Sequence, residues 1–96
     1  MIEVTRASGE IQLLFVTGRT SGVGRRMESV IASLQARNRG RVAVHRLDAD
    51  AQPELAAWLG VRSIPTVLFL RDRQPIACLR GRATLEELEQ VLERCA

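Results

Sequence analysis

The chain has 96 residues, of which 46% are hydrophobic and 26% are charged, so it is long enough for one small folded domain and too hydrophobic for a disordered or collagen-like chain. Its net charge is only +3, all 14 basic residues are arginine and 3% of the residues are aromatic, which argues against a nucleic-acid partner. Its longest apolar runs, 13–16 and 67–70, are far shorter than the roughly 20 residues that cross a membrane, and its start does not resemble a signal peptide, so we expect a cytoplasmic protein with no membrane partner.

The first half of the chain predicts two strands that flank a helix. Residues 11–17 are almost continuously apolar and β-branched at both ends, as expected for a buried strand. A helix is predicted to begin near Gly22 and to end before the stop signal Asn38-Arg39-Gly40. Its apolar residues recur at helical spacing: Met27, Val30, Ile31 and Leu34. Residues 41–47 alternate between two faces and predict the second strand.

The second half predicts a short helix, a hairpin and a last helix. Pro53 suits the first turn of a helix whose apolar face we expect to be Leu55, Trp58 and Leu59. Residues 66–70 and 76–79 predict antiparallel strands joined by a tight turn. The last helix opens with the capping-box spacing of Thr84 and Glu87 and carries an apolar stripe: Leu85, Leu88, Val91 and Leu92. Strand–helix–strand units of this kind imply parallel crossovers, with the hairpin as an antiparallel edge.

The segment Gly60-Val61-Arg62-Ser63-Ile64-Pro65-Thr66 resembles the thioredoxin family, in which the proline follows a cis peptide bond. Asp48-Ala49-Asp50 with Pro53 resembles the family's loop before its short helix. The resemblance implies an α/β fold, a three-layer sandwich with a mixed sheet of four to five strands and a C-terminal β-hairpin and helix. It implies a single thioredoxin-like domain over residues 1–96, with a shortened N-terminal strand–helix unit.

The chain departs from the family at the residues that carry thiol chemistry. Counted back from Pro65, the family's Cys-x-x-Cys falls on Ser21, Gly22, Val23 and Gly24, and the family's buried acid falls on Phe15. Disulfide exchange needs a thiolate at a helix N-terminus, and a serine hydroxyl is far too weak an acid to replace it. The single histidine, His45, lies on a predicted strand with no route to Ser21. We therefore expect no catalytic residue, no cofactor and no metal ion.

The surface beside the predicted cis-proline is retained. In the family, substrate peptides lie as an extended strand against the residue before this proline, which here places Ser63, Ile64 and Pro65 in the peptide-binding position, next to the loop at 21–24. We expect a redox-inactive binding or adaptor module whose partner is a protein or an extended peptide segment. The glycine-rich loop 18–26 matches neither a P-loop nor a dinucleotide fingerprint, but Arg25 and Arg26 make weak anion contacts a possible addition.

The two cysteines support a competing hypothesis. Cys78 is predicted to be a small core residue on the hairpin, and Cys95 an exposed thiol in the last helix. A helix packed on a sheet lies about 10 Å away, which is too far for a disulfide, so we expect both thiols to be free. The alternative function is a diverged thiol-disulfide oxidoreductase that acts through Cys78 or Cys95.

The start of the chain bears on assembly. Ten residues precede Ile11, too few for the strand and helix with which family members usually begin. We expect one edge or face of the sheet to be poorly covered, and either a short strand at Ile2 and Val4 or a homodimer to shield it.

Overall fold

The elements of the computed structural model follow one another in the order strand, helix, strand, helix, strand, strand, helix. The structure describes residues 10–19 and 22–95, so the short strand predicted at Ile2 and Val4 lies outside the described residues, as does Ser21. The elements are β1 Ile11–Thr17, α1 Gly22–Arg37, β2 Val42–Asp48, α2 Pro53–Trp58, β3 Thr66–Arg71, β4 Gln74–Arg80 and α3 Leu85–Cys95. The predicted order of elements is confirmed.

The four strands form one mixed sheet in the order β2-β1-β3-β4. β1 and β2 are parallel, in a register that runs from Ile11 opposite Val42 to Thr17 opposite Asp48. β3 is antiparallel to β1, with Thr66 opposite Val16, and β4 is antiparallel to β3. The ends of β1 and β2 and the start of β3 therefore meet at one edge of the sheet.

The direction of β3 corrects one prediction. The β1-α1-β2 unit is a parallel crossover as predicted, but the β2-α2-β3 unit is not. The 16 residues of α1 span about 24 Å, enough to return the chain along a seven-residue strand of about 23 Å. The six residues of α2 span only about 9 Å. The chain therefore stays at the edge where β2 ends, and β3 starts there.

Hydrophobic residues are buried on both faces of the sheet. On one face, Leu13 and Phe15 of β1 are fully buried among residues of α1, α3 and the neighbouring strands. On the other face, Val16 and Leu47 pack with Ala56 of α2. The predicted apolar face of α2 is wrong at Leu55 and Trp58, which are 41% and 80% exposed while Ala56 is buried, but Leu59 packs against the core as predicted. Residues three apart on a helix share a face, and here that face points away from the sheet.

Two predicted helix ends are confirmed by hydrogen bonds. After α1, the Asn38 side chain donates from Nδ2 to the Leu34 carbonyl (2.8 Å) and to Glu89 Oε2 of α3 (3.3 Å), which ties the two helices together. Before α3, the Thr84 N–H donates to Glu87 Oε1 (2.8 Å) and the Glu87 N–H donates to Thr84 Oγ1 (3.1 Å). This is the reciprocal capping box that the sequence spacing predicts.

The environments of the two cysteines are the reverse of those predicted. Cys78 is exposed, because Ala77 and Leu79 on either side of it in β4 face the main core and successive strand residues point to opposite faces. Cys95 is half-buried and packs against that core. Both thiols are free, as predicted. Among the described residues, no helix combines the length and the apolar character that a membrane span requires.

Candidate functional site

Three loops meet at the edge of the sheet where β1 and β2 end and β3 begins. Gly18, which directly follows β1, is buried at their centre. A Cβ atom placed on Gly18 would lie 2.6 Å from Ile64 Cδ1 and 3.0 Å from Asp50 Oδ2. The absence of a side chain at Gly18 therefore lets the loops after β2 and before β3 approach the end of β1.

The loop after β2 is fixed by two carboxylates. Asp48 Oδ1 accepts the N–H groups of Asp50 (2.8 Å) and Ala51 (3.3 Å), which holds the loop in a tight turn. Asp50 Oδ2 in turn accepts the Arg19 N–H at 2.8 Å. The loop after β2 thus positions the first residues of the segment that leads from β1 to α1.

The third loop carries the segment predicted to bind peptide. The Ile64–Pro65 peptide bond is cis, and Pro65 is buried with its carbonyl accepting the Gly81 N–H at 2.7 Å. Thr66 Oγ1 donates to the Ser63 carbonyl at 2.7 Å. Within the described residues, the N–H and C=O of half-buried Ile64 have no hydrogen-bond partner. Ile64 therefore presents an unpaired backbone donor and acceptor beside the proline.

A small cavity of about 230 Å³ adjoins this segment. One wall consists of residues 61–64, and the opposite wall consists of Ala49 with Pro53, Ala56 and Ala57. The lining is mostly aliphatic, and Arg62 and Ser63 are exposed at it. The cavity suits an apolar side chain of modest size.

The residues counted onto the family's Cys-x-x-Cys open α1. Gly22 and Val23 are half-buried in the first turn, Gly24 is buried, and Ser21 lies outside the described residues. Arg25 and Arg26 are exposed. A Cβ atom on Gly22 would lie 3.7 Å from Arg26 Nη1, so this guanidinium lies over the first turn. The structure brings this turn to the same edge of the sheet as Ile64 and Pro65, because α1 follows the end of β1.

The other candidate groups lie elsewhere. Cys78 and Cys95 line a different cavity, between β4 and α3, which shares no lining residue with the cavity beside Ile64. His45 is exposed on β2, and its Nε2 lies 2.6 Å from Gln12 Oε1 of β1. Phe15, at the position counted onto the family's buried acid, is 0% exposed. Sequence reasoning did not identify the part played by Gly18, although a glycine directly after a buried strand is a signal of close backbone approach.

A sequence model of the thioredoxin family matches residues 4–94. The chain belongs to the thioredoxin family. Thioredoxin from Staphylococcus aureus is 29% identical to it over 90 residues, an alignment that covers 94% of this chain and 86% of that protein. The resemblance read from residues 60–66 therefore extends over almost the whole sequence.

Solved thioredoxin structures share the fold. The germline-specific thioredoxin Deadhead from Drosophila melanogaster superposes with a TM-score of 0.83 at 28% identity, over 94% of this chain and 85% of that one. A thioredoxin variant from Halobacterium salinarum gives a TM-score of 0.83 at 23% identity, over 92% and 76% of the two chains. These comparisons confirm the thioredoxin-like α/β fold with its mixed four-stranded sheet and three helices.

Proposed function

We propose that this thioredoxin-family protein binds an extended protein or peptide segment at Ser63, Ile64 and Pro65 and exchanges no disulfide with it. The observation that carries the proposal is the unpaired backbone of Ile64, whose N–H and C=O have no hydrogen-bond partner in the described part of the chain. An unpaired donor and acceptor just before a strand can pair with an extended ligand. Pro65 beside Ile64 is held by the Gly81 N–H, so this donor and acceptor are fixed to the sheet.

Specificity comes from the cavity next to Ile64. A ligand residue that pairs with Ile64 places a neighbouring side chain over the aliphatic lining formed by Ala49, Ala56 and Ala57. Alternate side chains of an extended ligand point to opposite sides, so one apolar side chain enters and the next one faces solvent. Arg25 and Arg26, exposed in the first turn of α1, add positive charge that favours an acidic residue on the ligand.

The chemistry of the site supports binding without exchange. Attack on a disulfide requires a thiolate, and the chain's two cysteines are Cys78 and Cys95, both at the cavity between β4 and α3. The first described turn of α1 begins with Gly22, Val23 and Gly24, which offer no nucleophilic side chain. The fully buried Phe15 cannot transfer a proton.

The proposal is tested by selecting ligands from a display library of random ten-residue peptides with the Cys78→Ser/Cys95→Ser variant. The best peptide is then titrated by fluorescence anisotropy. N-methylation of the peptide nitrogen that pairs with Ile64 is expected to weaken binding at least tenfold. N-methylation of the next nitrogen, which points away, is expected to change it less than twofold. Equal effects of the two modifications would contradict strand-like pairing.

Two protein variants give a matched pair. Ala57→Phe fills the cavity and is expected to weaken binding of the same peptide at least tenfold. Trp58→Ala changes a larger, 80% exposed side chain on the same helix that does not line the cavity, and is expected to leave affinity unchanged. A peptide whose affinity is unchanged by Ala57→Phe would contradict the assigned binding surface.

An assay of insulin reduction in the presence of thioredoxin reductase distinguishes this proposal from the competing oxidoreductase hypothesis. The natural chain is expected to turn over no faster than the Cys78→Ser/Cys95→Ser variant. Turnover well above that variant would show that a cysteine takes part in exchange and would overturn the redox-inactive assignment.

A further inference from the structure

A second surface lies along the lateral edge of the sheet that β4 forms. β4 is the last strand in the order β2-β1-β3-β4 of the described sheet, so one of its sides pairs with β3 and the other pairs with no strand formed by residues 10–19 or 22–95. A groove of about 440 Å³ runs between β4 and the end of α3. Its floor is apolar or weakly polar and comprises Ile76, Ala77, Cys78, Leu79, Val91 and Cys95, of which Ile76 is 40% exposed.

The backbone of β4 offers alternate residues to a new strand. At the end of the β3–β4 pairing, the Gly81 N–H donates a hydrogen bond to the Pro65 carbonyl. Hydrogen-bonded pairs recur at every second residue of an antiparallel ladder, so Leu79 and Ala77 also bond to β3. Cys78 and Arg80 therefore direct their N–H and C=O groups away from β3, toward the groove's open side.

Several arginines surround this edge. The exposed arginines at or near it are Arg71, Arg73, Arg80, Arg82 and Arg94. In the part of the chain that the structure describes, none of them forms an ion pair, whereas Arg37, Arg41 and Arg46 elsewhere each lie within 3.6 Å of a glutamate oxygen. Arg71 and Arg94 line the groove itself. Unpaired cations along an unpaired strand favour an anionic partner.

We propose that β4 binds an acidic extended segment of another protein as an added antiparallel or parallel strand over this groove. Ala77 and Leu79 face the core side, where Val91 and Cys95 of α3 form the wall, so ligand side chains over that wall are apolar, and an acidic side chain at the end of the ligand meets Arg94 of the same groove. Cys78 and Arg80 face the other side, so ligand side chains there are acidic. The favoured ligand therefore alternates acidic and apolar residues.

A second copy of this chain fits the edge less well. Two copies would each bring the same arginines that surround β4, so self-association places like charges near one another. The positive charge around β4 therefore favours an acidic partner over self-association through β4.

The test uses a fluorescein-labelled eight-residue peptide of alternating glutamate and valine, titrated into the whole chain at low ionic strength and followed by anisotropy. Arg80→Glu/Arg94→Glu is expected to weaken binding at least tenfold. Arg39→Glu/Arg46→Glu makes the same change in net charge on the β2 side of the sheet, far from β4, and is expected to weaken binding less than threefold. Equal losses in the two variants would show non-specific attraction and would overturn the proposal.

The location is checked by amide chemical shifts in the same titration. Shifts confined to Ala77–Arg80 and the last two turns of α3 are expected, with the Ile64 amide unchanged. Shifts at Ile64 would place the peptide on the cis-proline surface and overturn the β4 assignment while leaving the proposed function intact. A dimer in sedimentation that Arg80→Glu strengthens would show that β4 pairs with its own copy, which also overturns the assignment.

Discussion

Gly18→Ala is the change that probes the meeting point of the three site loops most directly. The added Cβ would lie 2.6 Å from Ile64 Cδ1 and 3.0 Å from Asp50 Oδ2, distances at which the neighbouring side chains must move. Gly18 does not have a positive φ, so alanine suits its backbone and the clash is the main effect. Overpacking of this kind costs about 1–3 kcal/mol.

The contacts of the added Cβ give a narrower range for the expected loss in the free energy of unfolding. Ile64 Cδ1 is the end of a flexible side chain and can rotate away, which places the steric part near 1 kcal/mol. Displacing the Asp50 carboxylate weakens its hydrogen bond from the Arg19 N–H, worth about 1 kcal/mol. We therefore expect a loss of about 2 kcal/mol in the free energy of unfolding, measured by urea denaturation, and a fall in Tm of roughly 10 °C.

A double-mutant cycle identifies the cause. Ile64→Val removes Cδ1 and alone is expected to cost about 0.5–1 kcal/mol, because Ile64 is only half-buried. In the Gly18→Ala/Ile64→Val variant the clash is relieved, and the two losses are expected to fall short of additivity by about 1 kcal/mol. Gly22→Ala is the control, since its Cβ would meet nothing closer than 3.7 Å, and is expected to leave stability unchanged or higher. Additive losses, or a neutral Gly18→Ala, would refute the reasoning.

Three further changes are checked by the same denaturation experiment. Asp48→Ala removes the acceptor of two backbone N–H groups and is expected to cost about 1–2 kcal/mol, while Asp48→Asn retains most of the stability; equal losses would contradict the turn's role. Thr84→Ala breaks the capping box and is expected to cost about 1 kcal/mol, whereas Thr84→Ser costs less than half of that; a neutral alanine variant would mean that the box does not stabilise α3. Trp58→Ala is expected to change stability by less than about 0.5 kcal/mol, against about 2–5 kcal/mol for fully buried Leu88→Ala; a large loss at Trp58 would show that the side chain is buried.

The sequence predicted the long elements because their patterns are long enough to be unambiguous. The 16 residues of α1 repeat the helical period several times, and the capping box marks the start of α3 by spacing alone. The six residues of α2 complete fewer than two turns, which is too short for a helical period to show which face is buried. The predicted buried face therefore rested on the large apolar side chains, Leu55 and Trp58. The small Ala56 fits the space beside the sheet instead.

The candidate site was predictable in part. The segment around Pro65 could be identified from its resemblance to a family, and its position follows from local sequence. The contact of Gly18 with Ile64 and Asp50 joins segments far apart in the chain and depends on the parallel register of β1 and β2 and on the antiparallel start of β3. No local pattern encodes that register.

The environment of Cys78 shows a third reason why the sequence does not predict every part of the structure. Ile76, Ala77, Cys78 and Leu79 are all apolar or weakly polar, so alternation does not show which pair faces the core. The packing of Ala77 and Leu79 with the residues of α1 and α3 decides it.

The measurement that tests the central claim most directly is an isotope-edited nuclear Overhauser experiment on the Cys78→Ser/Cys95→Ser variant in complex with its selected peptide. We predict cross-strand contacts between the peptide backbone and the Ile64 amide, with that amide protected from hydrogen exchange in the complex and not in the free protein. A bound peptide that leaves the Ile64 amide unprotected and without contacts would contradict the account.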